Sequence, residues 1–228
     1  MAAQSVTVRV PATSANMGPG FDVLGMALDI WNRVQVRVSA TPSVRVRGEG
    51  ANELSTSTDN LIYRAAARLF DEISVPIPNL TISCRNTIPL GRGLGSSAAA
   101  VVAGLVSANA LCGSTVPGTR LLELANDIEG HPDNVAPALL GGCQIVTLAN
   151  EHLVTSEVPL PSGIRCVIYI PQKPMPTAES RAILGQRVSR KEAIFNLGRV
   201  ALLVNALGQG RLEELMIATQ DMLHQPAR

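Results

Sequence analysis

The stretch IPLGRGLGSSAAA, residues 88–100, decides how the rest of the chain is interpreted. Before it, Leu80, Ile82 and Cys84 occupy every second position, which is the period of a half-buried strand. Behind it runs an Ala- and Val-rich segment typical of a helix. Glycines let the backbone approach an anion closely, and the free N–H groups that open a helix attract negative charge. The stretch therefore predicts a phosphate-binding loop between a strand and a helix.

Two well-known classes of phosphate-binding loop do not fit this stretch. A Walker loop needs a lysine followed by Ser or Thr, whereas the only lysines are Lys173 and Lys191. A dinucleotide-binding fold needs an acidic residue about 20 positions downstream. Residues 110–122 contain no acidic residue, so hydride transfer is disfavoured.

Composition limits the partners of the chain. Its 228 residues are 46% apolar, which is enough for one large domain or two small ones. Nineteen basic residues nearly balance 18 acidic ones, so we expect neither nucleic acid nor a membrane as a main partner.

The N-terminus does not resemble a secretory signal, and the apolar run at 98–111 is too short to span a bilayer. Four scattered cysteines read as buried reduced thiols, which favours a cytoplasmic protein.

Periodicity predicts a strand-rich first third followed by mixed elements. Predicted strands lie at 6–10, 34–38, 44–46, 80–84, 144–148 and 166–170, and predicted helices at 61–73, 98–111, 119–129, 188–207 and 211–223. A change of composition near 159–163 is the best candidate for a domain boundary.

The loop is similar to the ATP loop of the GHMP kinases. The pattern of that loop is a hydrophobic residue, Pro, a Gly-rich turn, Gly-Leu-Gly-Ser-Ser and two small residues, and residues 88–100 match it at every position. PATSANMGPGFDVLGMAL, residues 11–28, resembles the N-terminal signature of the homoserine kinases within that family. Relatives such as mevalonate kinase carry a lysine in this region, and this chain has none. EGHPDNVAPALLGG at 129–142 and LHQPAR at 223–228 resemble two further family segments, and PTAESR at 176–181 lies between them.

The resemblance implies an α+β GHMP kinase fold. Residues 1–160 would form an N-terminal ATP-binding domain like domain 2 of ribosomal protein S5, and residues 161–228 a C-terminal ferredoxin-like domain. We expect the second domain to be incomplete, because no third Gly-rich motif resembling SGAGPT occurs. The helices at 188–207 and 211–223 would then expose apolar faces.

The resemblance also assigns site residues, with ATP and homoserine as substrates and Mg²⁺ as the metal. The ATP-binding residues would be Pro89, Leu90, Gly91, Arg92, Gly93, Leu94, Gly95, Ser96, Ser97, Ala98 and Ala99, with Asn60 on the adenine side. The homoserine-binding residues would be Asn16, Asp22, His131, Thr177, Arg181 and Arg228. Ser97 and Glu129 would bind the metal, since Mg²⁺ prefers oxygen ligands.

Several alternatives stay open at this point. Asn60 could instead cap a helix, and Asp22 could pair with either the ammonium or the hydroxyl of the substrate. Asn134 aligns with the aspartate base of mevalonate-type members, so catalysis could proceed without a base, with Asp133 as the alternative. A kinase for another small alcohol and an inactive binding protein are the competing functions. Family members often form homodimers, which leaves a homodimer open here.

Overall fold

A computed structural model describes residues 3–170, 177–185 and 187–228 of the chain. The first third forms three strands, as the alternating valines predict. The strands are β1 (Ser5–Ala15), β2 (Leu24–Val38) and β3 (Ser43–Gly48). Val34, Val36, Val44 and Val46 are buried, while the residues between them are exposed. One face of this sheet therefore belongs to the core and the other faces solvent.

A six-stranded sheet organises the molecule. Its remaining strands are β4 (Leu80–Asn86), β5 (Cys143–Ala149) and β6 (His152–Val158). The long strand β2 pairs with β1 along most of its length, with a register shift between Pro11 and Ala12, and on its other side it pairs first with β5 and then with β4. The edge strand β3 runs parallel to β4. Both ends of β2 are thus fixed by different neighbours, which sets the register of the whole sheet.

Four helices cover the buried face of the sheet. They are α1 (Leu61–Glu72), α2 (Ser96–Leu111), α3 (Gly118–Glu129) and α4 (Pro132–Leu140). Helix α2 is central, because it packs on α1, α3, α4 and β1. It is apolar on nearly all sides, as expected of a helix surrounded by protein. Its N-terminus is therefore held rigidly at the edge of the core.

A second apolar cluster joins the C-terminal helices to the sheet. The helices are α5 (Thr177–Ala182), α6 (Arg190–Gln209) and α7 (Leu215–Ala218), with a short 3₁₀ turn at Leu212–Glu214. Leu203 and Leu207 of α6 pack with Leu24, Cys143 and Val158 from the sheet. This cluster places the C-terminal segment beside the start of β2.

Helix α6 begins at Arg190, two residues after the predicted start at 188, because Ser189 and Glu192 form a complete capping box. Other parts of this helix are poorly covered. Ile194 and Leu197 are 62% and 67% exposed, and Met216 of α7 is 81% exposed. The expectation of exposed apolar faces on these helices is therefore confirmed.

Two predicted elements are wrong. Residues 166–170 form no strand, since they pair with no neighbouring strand among the described residues, and Val167 is 98% exposed. The predicted helix at 211–223 shrinks to the 3₁₀ turn and α7. It ends because Asp221 accepts backbone N–H bonds from His224 and Gln225, which replaces helical bonding by a turn. Sequence reasoning also missed β6 and α4, and it counted Cys166 as buried although it is exposed.

Candidate active site

A cleft of about 390 Å³ lies where the Gly-rich loop, the start of α4, the connection between β1 and β2, and the C-terminal segment meet. Its walls bring together residues from both ends of the chain. The lining residues are Ala15, Asn16, Pro89, Gly91, Arg92, Gly93, Leu94, Gly95, Ser96, Ser97, Glu129, His131, Asp133, Asn134, Ser180, Arg181 and Arg228. The cleft thus contains most of the residues that the sequence assigned to ATP and to homoserine.

The phosphate-binding loop has the geometry that an anion requires. Gly95 is the N-cap of α2 and has a φ of 65°, a left-handed conformation that favours glycine. A Cβ at Gly95 would overlap Thr13 Oγ1, so only glycine fits there. The first helical hydrogen bond is Ala99 N–H to the Gly95 carbonyl at 2.9 Å. The N–H groups of residues 95–98 are therefore free of helical partners at the edge of the cleft.

A buried threonine supports the catalytic candidates. Thr13 of β1 is fully buried, and its hydroxyl donates to Asn134 Oδ1 over 2.8 Å. Asn134 Nδ2 in turn lies 3.4 Å from Asp133 Oδ1. Because Thr13 occupies the carbonyl oxygen of Asn134, the amide nitrogen is oriented toward the cleft side of Asp133.

Asp133 is a buried carboxyl at the start of α4. Its side chain and backbone are 1% exposed, and Gly25 of β2 packs so closely on its carbonyl that a Cβ there would overlap it. Burial, reinforced by the charge of Asp22, raises the pKa of Asp133 to about 6. Such a group can change protonation near neutral pH, which is what a general base needs.

Arg181 of α5 lines the cleft and pairs with Asp22, which itself does not line it. Its two terminal nitrogens donate to the two carboxylate oxygens of Asp22, one of them over 3.1 Å. Asn16 holds the loop in place, because its Oδ1 accepts the Asp22 N–H over 3.1 Å. The Arg181 Nε atom is buried and has no hydrogen-bond partner in the described parts of the chain. Arg181 therefore retains donor capacity that a ligand could use.

Arg228 lies in the same region, above the ring of Phe21. The guanidinium carbons of Arg181 and Arg228 are 5.4 and 5.3 Å from the centroid of that ring. Burial, followed by the positive charge of Arg181, lowers the pKa of Arg228. Two guanidinium groups that share one wall of a cleft repel each other, so an anion between them would be stabilised.

His224 contacts both Phe21 and Arg228. Its ring stacks on Phe21 with centroids 5.0 Å apart, and Nε2 donates to the Gly18 carbonyl over 2.8 Å. Nδ1 then accepts from Arg228 Nη1 over 3.3 Å. Asn196 Nδ2 of α6 donates to Asp221 Oδ1 over 2.6 Å. This contact fixes the turn that carries His224 and leads to Arg228. The C-terminal segment is thus built around the loop that holds Asp22.

Ser97 and Glu129 meet at the other end of the cleft. The Ser97 hydroxyl donates to Glu129 Oε2 over 2.6 Å. Burial raises the pKa of Glu129, and no basic side chain pairs with it in the described residues. The described chain contains no cluster of three or more His, Cys, Asp or Glu side chains able to hold a metal ion. The two oxygens suit a hard cation whose other ligands come from phosphate and water.

The remaining predicted residues differ in where they lie. His131 lines the cleft as the N-cap of α4, and burial together with the charge of Arg181 lowers its pKa. Asn60 caps α1 by accepting the Ile62 N–H over 3.0 Å, and it does not line the cleft. The backbone of Thr177 opens α5, but its side chain lies outside the described residues.

Three residues of the predicted ATP loop also lie outside the lining. Leu90 packs against Gly50, and Ala98 and Ala99 are buried in the core. Their side chains therefore pack beneath the loop and do not line the cleft. Whether Asn60 contacts adenine stays a prediction.

Sequence reasoning missed Thr13, Phe21, Ser180, Asn196 and His224. Thr13 and Phe21 both lie inside the quoted segment 11–28, so their position in the motif was an available signal. Ser180 and His224 likewise lie inside the quoted segments 176–181 and 223–228, whereas Asn196 reaches the site only through the fold and had no local signal.

Similarity to known proteins agrees with this geometry. A family model described as GHMP kinases N terminal domain matches residues 60–142. A homoserine kinase of Synechocystis sp. is 45% identical, with 98% of this chain and 74% of that protein covered. A homoserine kinase of Moorella thermoacetica is 42% identical, with 97% and 75% covered. The crystal structure of homoserine kinase from Cytophaga hutchinsonii superposes with a TM-score of 0.85 at 30% identity, covering 100% of this chain and 75% of that one.

Proposed function

The chain belongs to the homoserine kinase family of the GHMP kinases, and on this premise we propose that it phosphorylates the side-chain hydroxyl of L-homoserine with ATP. The product would be O-phospho-L-homoserine, an intermediate of threonine biosynthesis. One observation carries the proposal: the free N–H groups at the start of α2 line the same cleft as Arg181, which is paired with Asp22. A phosphate donor and an amino acid can therefore be bound within reach of each other.

The triphosphate would lie on the Gly-rich loop. Free N–H groups of residues 95–98 and the N-terminal end of the α2 dipole both favour negative charge there. Arg92 lines the cleft, and its Nη1 atom is buried without a hydrogen-bond partner among the described residues. These groups supply the positive potential that a Walker lysine would provide in another class of kinase.

Mg²⁺ would be held by Ser97 and Glu129. The fit is supported by the 2.6 Å contact between their oxygens and by a carboxylate that is partly buried and has no basic partner among the described residues. When bound, the metal would supply charge neutralisation for the phosphates. Glu129 would orient it from α3, while Ser97 contributes from the first turn of α2.

Homoserine would bind at the opposite end of the cleft. Arg181 and Arg228 line the cleft and would bind the α-carboxylate of homoserine with their planar guanidinium groups, a geometry that a lysine cannot reproduce. Asp22 offers the matching negative charge for the ammonium group or the hydroxyl, and Asn16 fixes its loop. His131 and Thr177 complete the proposed set, His131 as a group that its surroundings favour in the neutral form.

The hydroxyl proton has two candidate routes. Asn134 cannot accept a proton, so a site that relies on it alone would work by holding the substrate oxygen in line with the phosphate. Asp133 is adjacent, and a pKa of about 6 lets it act as a base at neutral pH. We favour Asp133 as the acceptor, because Asn134 and Thr13 form a chain of hydrogen bonds that fixes its surroundings.

Thr13 is a positioning residue in this proposal. Its hydroxyl touches Asn134 and lies against Gly95, so it connects the catalytic asparagine with the phosphate-binding loop. A change at this position would disturb both without removing any group that contacts a substrate.

Where the protein works and how it assembles follow from the same premise. We infer a cytoplasmic enzyme, since its substrates are ATP and a free amino acid. We also infer a homodimer, as is common among related kinases. The described residues include no helix that is both long and apolar enough to cross a membrane.

The test is an ATP-consumption assay with homoserine, threonine and mevalonate side by side, and with phosphorus NMR to identify the product. We expect turnover with homoserine, a new phosphomonoester signal, and little with mevalonate. Turnover with mevalonate alone would contradict the amino-acid assignment. Binding of ATP and homoserine without turnover would instead identify the chain as a binding protein.

A further inference from the structure

The solvent face of the sheet carries a concentration of arginines that the proposed kinase reaction does not use. These residues are Arg9 on β1, Arg33 and Arg37 on β2, Arg45 and Arg47 on β3, and Arg85 on β4, which we call the arginine face. All of them are exposed. The near-zero net charge of the chain conceals this local field.

The sheet register aligns four of these arginines in one row. Arg9 lies opposite Arg33, Arg33 opposite Arg85, and Arg85 beside Arg47. Neighbouring strands are about 4.8 Å apart, so the row is a closely spaced line of positive charge across the sheet. Like charges directly opposite each other destabilise a sheet. The arrangement is thus unfavourable unless something else offsets it.

Nothing in the described chain offsets that repulsion directly. None of the six arginines lies within salt-bridge distance of a carboxylate in the parts of the chain that the structure describes. The nearby Asp29 accepts a hydrogen bond from Trp31 over 2.6 Å, and Arg9 lies over the Trp31 ring at 4.8 Å. Glu49 follows β3 at the rim of the face.

A cavity is present in the same face. It has a volume of about 310 Å³ and is lined by Arg33, Arg45, Arg47 and Arg85. Thr7, Gln35 and Ser83 add hydroxyl and amide groups between the arginines. Residues of the same face are about 6.6–6.8 Å apart along a strand, so the four guanidinium groups surround a compact area. Such an array suits one small molecule with several anionic oxygens.

We propose that the arginine face binds a small, soluble polyphosphorylated anion at a site separate from the catalytic cleft. None of the residues that line this cavity lines the cleft, and the helices that carry the cleft cover the opposite face of the sheet. The cavity has no aromatic lining residue, which disfavours a single-stranded nucleic acid stacked on the sheet. Arginine instead of lysine favours bidentate contact with phosphate oxygens.

The experiment is calorimetric titration with inorganic tripolyphosphate in the presence of one equivalent of a non-hydrolysable ATP analogue, which occupies the cleft and leaves no excess triphosphate to compete for the arginine face. The test variant is Arg33→Gln/Arg85→Gln, and the matched control is Arg64→Gln/Arg190→Gln, which removes two exposed arginines elsewhere. We expect one tripolyphosphate site in the unaltered chain, at least tenfold weaker binding in the test variant, and less than a twofold change in the control.

A second measurement separates binding from folding. Removing like charges should leave the melting temperature of the test variant unchanged or higher, and tripolyphosphate should raise it only in the unaltered and control chains. Equal loss of binding in both variants, or no binding by the unaltered chain, would overturn the proposal. So would displacement of tripolyphosphate by an oligonucleotide or by anionic vesicles at lower concentration, since the face would then serve a macromolecule or a membrane. None of these outcomes depends on kinase activity.

Discussion

Replacing Arg181 by Lys keeps the positive charge but removes the planar fork. In the structure Arg181 binds both oxygens of Asp22 and keeps a buried Nε donor without a partner among the described residues. A lysine can reproduce at most one such contact. Losing one charge-assisted hydrogen bond to a substrate carboxylate costs about 1.5–3 kcal/mol. At about 1.4 kcal/mol per factor of ten, kcat/KM for homoserine should fall roughly 10- to 150-fold.

Folding should change far less than catalysis. The side chains of Arg181 and Asp22 are 30% and 35% exposed, and an ion pair this open contributes about 0–1 kcal/mol. The melting temperature of Arg181→Lys should therefore drop by no more than about 4 °C. Steady-state kinetics with each substrate varied in turn, together with a thermal melt, measure both effects.

Arg190→Lys is the matched control, because Arg190 is exposed in the first turn of α6 and lines no cleft. It should leave kcat/KM within about twofold of the unaltered chain. The KM for ATP should also stay within about threefold in Arg181→Lys. An unchanged kcat/KM for homoserine, or an equal loss of affinity for ATP, would refute the role given to Arg181.

Three more substitutions test other parts of the site. Thr13→Val leaves the partly buried Asn134 oxygen without its donor, which should cost about 1–3 kcal/mol of stability. It should also lower kcat about tenfold with both KM values nearly unchanged, while Thr13→Ser restores kcat. Glu129→Gln should lower kcat about 100-fold and weaken Mg²⁺ dependence, but it should not reduce the free energy of unfolding, because burial already disfavours the charged carboxylate. Asp133→Asn tests pH dependence: since the folded-state pKa of about 6 lies above the unfolded value, Asp133 binds a proton more tightly in the folded chain. Its contribution to stability is therefore present below about pH 4 and lost as pH rises through 6, by an amount on the order of 2–3 kcal/mol, and the variant should lack that loss in pH-dependent urea unfolding.

Each of these has an outcome that contradicts it. A Thr13→Ser variant as slow as Thr13→Val would show that the hydroxyl is not what matters. A strongly destabilised Glu129→Gln would make that residue structural. If Asp133→Asn and the unaltered chain lose stability in parallel between pH 4 and 7, Asp133 is not the titrating group, and an unaltered rate in that variant would remove it as the base.

Local sequence patterns were enough to predict the phosphate-binding loop and the elements around it. Alternating valines predicted β1 to β3, and the strand β4, the Gly-rich loop and the helix around Gly95 could be predicted because their signals are local. The motif at 129–142 likewise indicated Glu129 and His131, and the resemblance at 11–28 indicated Asn16 and Asp22. Each of these residues lies within one contiguous motif.

Contacts between residues that are far apart in the sequence became visible only in the tertiary structure. The contacts between Thr13 and Asn134, and between Arg181 and Asp22, join residues more than a hundred positions apart, and no local pattern specifies them. The predicted helix at 211–223 ends early because Asp221 contacts Asn196 and the backbone N–H group of His224. The arginine face appears only when the register of four strands aligns its charges. Charge balance along a sequence does not reveal charge density on a surface, because folding, not composition, selects which residues become neighbours.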